Sequence, residues 1–161
     1  MKEIIKQNSI AFLFHVILVG MAVGAIILVR IGSEDLNADW LIGTLAVIFY
    51  FGLLWLYVQA GALLPFMRQR KKEWMSGILI IVVGILIGCI AALQNGFGVI
   101  HVESQWLWLV EFFYCVAAWP ILQYLPYPIV WIITPVIPAL LMVMGMHQKH
   151  KKMDEEIRKH L

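Results

Sequence analysis

The sequence predicts an all-α integral membrane protein: a bundle of four transmembrane helices with an outer-leaflet segment, interfacial or re-entrant, before a proline-kinked last helix. Three observations predict it. First, of 161 residues 62% are hydrophobic and 14% charged, with a mean hydropathy of +0.86, against roughly half and a quarter in an ordinary soluble domain. Second, three segments each reach the roughly 20 apolar residues that a helix needs to cross the hydrocarbon core. Third, Lys and Arg fall in tight clusters between the apolar stretches. The composition excludes a soluble globular domain. A net charge of only +2, with no polar low-complexity tract, also excludes disordered, collagenous and nucleic-acid-binding classes.

The first span runs from Ser9 to Val29. Its basic start (Lys2, Lys6) is followed by an apolar run longer than a signal-peptide core, with no small-x-small cleavage site before Arg30, so it reads as a retained anchor. The second span covers Trp40 to Phe66 and the third Trp74 to Leu93. Gln105 to Met146 contains no Lys or Arg and one acid, Glu111, yet it is too long for one straight span and carries five prolines between Pro120 and Pro138. Gln105 to about Trp119 is expected as a Trp- and Phe-rich helix at the outer interface, where amphipathic rings are favoured. A turn follows from Trp119-Pro120 through Pro126-Tyr127-Pro128, so that 105–126 lies on the outer leaflet or dips into it. The fourth span, Tyr127 to Met146, contains Pro135 and Pro138, each of which removes an amide donor, so a kink is expected. In 147–161, Met153, Ile157 and Leu161 recur every fourth residue and Glu155 stands four before Lys159, which predicts a helical tail. The chain, 1–161, reads as one transmembrane domain.

Basic residues predict the orientation, because short loops keep Lys and Arg on the cytoplasmic side. Placing Lys2 and Lys6, Arg68 to Lys72, and Lys149 to Lys159 inside leaves Arg30 as the one basic residue outside. The number of crossings is then even, with both termini cytoplasmic; a fifth span would put the basic tail outside. Glu34, Asp35, Asp39 and Glu103 then lie outside. The short loops suit a bacterial plasma membrane.

The polar residues within the apolar stretches are the candidate site. His15 and Gln59 fall at similar depth, where the imidazole can bond the amide or Tyr57; an ionisable residue in a span is by default a functional hypothesis. Glu111 reads as a solvated interfacial carboxylate. If it is buried, desolvation raises its pKa and suits it to proton or cation coupling. With Gln123 and the carbonyls freed by Pro135 and Pro138 it would then line a cavity. The pairs Gly20/Gly24 and Gly84/Gly88 have the spacing that lets helix backbones approach in lipid, and the two small faces are expected to meet inside the bundle. Arg68, Arg70, Lys71, Lys72, Lys149, Lys151 and Lys152 lie beside the membrane and are expected to meet anionic lipid headgroups. Ser33 to Asp39 reads as a solvated acidic loop matching no calcium loop, and His147, His150 and Asp154 as a hydrated tail; no metal site is expected.

Cys89 and Cys115 form no C-x-x-C pair. There is no Walker loop, H-E-x-x-H, G-x-S-x-G or paired intramembrane aspartate, so no catalytic residue and no cofactor is assigned. With loops of about ten residues, the first expectation is an accessory, regulatory or immunity-type protein acting on another membrane protein, on lipid or on itself. The second is a small oligomeric transporter or channel for an ion or small solute, built on His15, Gln59, Glu111 and Gln123. The third is an intramembrane enzyme acting on a lipid or quinone, which requires two ionisable groups converging on one pocket.

Overall fold

The computed structural model describes residues 2–33, 39–65, 70–101 and 104–159. Among these every regular element is helical: α1 (Lys2–Ser33), α2 (Asp39–Leu63), a 3-10 segment (Arg70–Gly77) leading into α3 (Ile78–Asn95), α4 (Trp106–Tyr114), a 3-10 turn (Val116–Ala118), α5 (Trp119–Tyr124), α6 (Pro128–Ile133) and α7 (Val136–Lys159). Four helical stretches are long and apolar enough to cross a membrane, Lys2–Val29, Gly43–Leu63, Lys72–Asn95 and Pro128–Lys159, and each contains most of one expected span.

Local chemistry explains where the helices stop. α3 ends at Gly96, whose φ of 80° suits a residue without Cβ, and the Gly96 N–H donates to the Ala92 carbonyl at 2.8 Å. α6 opens with Pro128 in its first turn, where the missing N–H costs no helical bond. It closes at Thr134, whose N–H and hydroxyl both donate to the Trp131 carbonyl, at 3.2 and 2.7 Å. Pro135 cannot continue the ladder, so the last long apolar stretch, Pro128–Lys159, is interrupted at Thr134–Pro135 between α6 and α7. Pro138 falls in the first turn of α7, where N–H groups have no intrahelical partner. The tail is helical as expected and continuous with α7.

Around the bundle, α1 packs against α2 and α3, α2 against α7, and α7 against α3. The 3-10 segment 70–77 lies between α1 and α7, and α4 and α6 pack on α3. Gln7 near the start of α1 donates to the Pro65 carbonyl beyond α2 (2.9 Å) and contacts the Met146 sulfur in α7. Asn8 donates to the Met75 carbonyl (2.8 Å) and accepts from the Leu79 N–H (3.0 Å). Lys149 donates to the Leu64 carbonyl (3.0 Å), and Glu73 meets His150. These contacts gather the start of α1, the end of α2, the start of α3 and the later part of α7 at one end of the bundle.

The tightest helix contact joins α2 to α7. A Cβ on Gly61 would fall on the Met142 carbonyl and one on Gly145 on the Val58 carbonyl, so these backbones touch only because both residues are glycine. The expected Gly20/Gly24 contact does not form: a Cβ at either position meets nothing within 4 Å. Gly84 and Gly88 do receive neighbours, but from other elements. Pro135 and Tyr114 press on Gly84 and Ile132 on Gly88, which fills the small face of α3 before α1 can reach it.

The segment after Gln105 also differs from expectation. Its helix stops at Tyr114 and not near Trp119, and α4 buries Leu107, Trp108, Glu111 and Tyr114 while Trp106, Leu109 and Val110 on it stay exposed. Cys115 to Ala118 are likewise buried. These residues are small and apolar on every side, so packing among helices suits them better than an interface that rewards two unlike faces.

Candidate functional site

Four helical stripes build a polar cluster inside this apolar core. On α1, Ala11, His15, Leu18 and Ala22 are buried at intervals of three and four; on α2, Leu53, Tyr57 and Ala60, followed by Leu64 just beyond its end. On α3 the stripe is Ile80, Gly84, Gly88 and Ala91, and on α4 it is Leu107, Glu111 and Tyr114, continued by Cys115. His15 and Glu111 are both 0% exposed.

The cluster is bonded as follows. His15 Nδ1 pairs with the Tyr57 hydroxyl at 2.9 Å. The Tyr114 ring stands edge-on to the imidazole, with centroids 4.5 Å apart and planes at 71°. The Tyr114 hydroxyl donates to the Ile80 carbonyl at 2.8 Å, and the Cys115 thiol donates to Glu111 Oε1 at 3.3 Å. Thr134, at the break between α6 and α7, is buried and turns its hydroxyl back to the Trp131 carbonyl. Glu111 Oε1 lies 3.6 Å from where a Cβ on Gly88 would stand, which places the carboxyl group beside the small face of α3.

Two atoms of this cluster are left over. His15 Nε2 and Glu111 Oε2 are buried with no hydrogen-bond partner among the described residues. Each such orphan costs about 1–3 kcal/mol relative to a satisfied group, and an unpaired buried charge costs more. Glu111 therefore contradicts the expectation of a solvated carboxylate. It lies outside the four spans, and burial pushes its carboxyl up to about 8, with the Cys115 hydrogen bond pulling the other way. Burial also pushes the Cys115 thiol well up. The cluster thus offers a carboxyl group that can gain or lose a proton near neutrality, with tyrosine and histidine beside it.

The other expected site residues are placed elsewhere. Gln59 does not bond His15; it stands two residues, about 200° of helix, beyond Tyr57, and lines a surface recess with Ala62, Gln148, Lys149, Lys152, Met153 and Glu156. Gln123 lies on α5, with its side chain outside the described residues. Arg68 lies outside them altogether, as do Glu34, Asp35 and Glu103, and the side chains of Arg70 and Lys71 do too. Lys72, Lys151 and Lys152 are exposed and Lys149 is half-buried. Among the described residues no group of three or more His, Cys, Asp or Glu side chains is arranged to hold a metal ion. Tyr114, Cys115 and Thr134 carried no role in the sequence reading. The one available hint was the spacing Glu111–Cys115, one helical turn.

No protein-family model matches the sequence, no curated protein matches it, and no solved structure matches the fold.

Proposed function

We propose that the chain crosses the bilayer four times with both termini cytoplasmic, and that it is a small transporter handling a proton or small cation at His15, Tyr57, Tyr114, Glu111 and Cys115. The observation that carries this reading is the convergence of two fully buried ionisable side chains, His15 and Glu111, around the Tyr114 ring in one packed cluster. A bundle needing only a plug of polar packing would gain stability from apolar residues there. Ionisable residues facing the interior of a membrane bundle mark ion pathways and proton relays. Thr134 and Pro135 interrupt the helix beside the cluster, as in transporters whose broken helices line ion sites. The even number of crossings is supported by the contacts that gather the start of α1 and the later part of α7 at one end.

Reconstitution into liposomes under an imposed pH gradient tests the reading. The parent chain should dissipate the gradient faster than empty vesicles, and Glu111→Gln and His15→Ala should each remove most of the excess rate. Equal rates for parent and empty vesicles overturn it.

A second reading, an accessory protein that binds another membrane protein or a second copy of itself, is favoured by one observation. The Gly20/Gly24 face of α1 stays open, flanked by exposed Ile17 and Met21, and small residues at this spacing accept a helix from outside. Crosslinking through Cys introduced at Gly20 tests it.

A further inference from the structure

The recess that Gln59 lines has a volume of about 340 Å³ between the end of α2 and the tail half of α7. Lys149 and Lys152 border it from one helix, and the amides of Gln59 and Gln148 supply further donors. The Lys149 ammonium also donates to the Leu64 carbonyl just beyond α2, at 3.0 Å. One turn further into the bundle, on the same side of each helix, stand Trp55 on α2 and Met144 on α7, 61% and 53% exposed. Both walls therefore change in the same order, from apolar through amide to cationic. The glycine contacts at Gly61 and Gly145 hold the two walls in fixed register.

We propose that this recess is a binding site for one anionic phospholipid. Its phosphate meets Lys149, Lys152 and the two amides, and its acyl chains lie along Trp55 and Met144. The order of side chains, apolar then amide then cationic, matches the order of groups in a lipid. Glu156 is the opposing charge in the recess, leaving two cations against one acid. The neighbouring recess on the other side of the tail is a built-in contrast: Lys151 and Arg158 there face Glu73, Asp154 and Glu155. The inference rests on the membrane reading but not on proton handling.

The test is native mass spectrometry of the detergent-solubilised full chain, titrated with phosphatidylglycerol or with phosphatidylcholine of the same acyl composition. Phosphatidylglycerol should bind more tightly. Lys152→Gln should weaken it about fivefold, the effect expected for one cation near a phosphate, and Glu156→Gln should strengthen it, while Lys151→Gln leaves it unchanged. Because Lys149→Gln also removes the bond to Leu64, the exposed Lys152 carries the test. Equal binding of the two lipids overturns the proposal. So does an equal loss in the Lys151 and Lys152 variants, which would mean diffuse surface charge, or displacement of the lipid by millimolar inorganic phosphate. Failure of the chain to resist carbonate extraction from membranes would sink both readings. Proton flux without lipid discrimination sinks this one alone.

Discussion

Replacing Gly145 by alanine adds one methyl group at the closest helix approach in the protein. The new Cβ would fall on the Val58 carbonyl, with the Ala62 nitrogen at 2.9 Å. These are backbone atoms of α2, so no rotamer change relieves the overlap and the two helices must part. Overpacking by a methylene-sized group costs about 1–3 kcal/mol, and an immovable obstacle belongs at the upper end. Alanine recovers about 1 kcal/mol of helix propensity over glycine, which leaves a net loss of about 2 kcal/mol. At roughly 2–4 °C per kcal/mol for a chain of this length, Tm in detergent should fall by about 4–8 °C. Gly20→Ala is the matched control: its Cβ meets nothing within 4 Å, so only the propensity gain applies and Tm should hold or rise. Thermal unfolding of the two variants beside the parent decides the matter. A Gly145 variant that melts with the parent, or a Gly20 variant that melts well below it, refutes the packing described for α2 and α7.

Glu111 makes stability depend on pH. The folded chain holds this proton more tightly than the unfolded one, so its contribution is full below about 4.5, declines as pH rises to about 8, and is flat above. Glu111→Gln should remove that slope, seen as a Tm difference between variant and parent that changes across this window; parallel curves would refute it. Tyr57→Phe leaves His15 Nδ1 without its 2.9 Å partner and should cost about 1–3 kcal/mol in the same melting assay. Glu73→Ala breaks the contact that ties His150 to the 3-10 segment. Amide exchange in 147–159 should then accelerate while α3 keeps its protection, as expected when one tether of a locally opening helix is cut.

Particular residues show how far the sequence could be read. His15 and Glu111 were legible as candidates, because a single ionisable group in a long apolar run stands out whatever its surroundings. Their convergence was not legible: it depends on Tyr114, which reads as one aromatic residue among several, folding back between α1 and α3. Gln59 was misplaced by depth reasoning, since equal depth says nothing about which side of the helix a residue occupies. Gly20 and Gly24 looked the same as Gly84 and Gly88, yet one pair is open and the other filled. Gly61 and Gly145, each without a partner at the familiar spacing, gave no signal, although they make the closest contact.

By itself the sequence determined the helical class, the four long apolar stretches and the clustering of basic charge, because hydropathy and charge add up residue by residue along the chain. Only the tertiary structure decided which side of each helix faces inward, how the last apolar stretch breaks, and that Glu111 is buried. The physical reason is that helices such as α1 and α2 are apolar on the outward as well as the inward side. A soluble helix marks its buried face by contrast with a polar one. Where that contrast is missing, close packing of backbone, proline and tyrosine against particular glycines settles the arrangement.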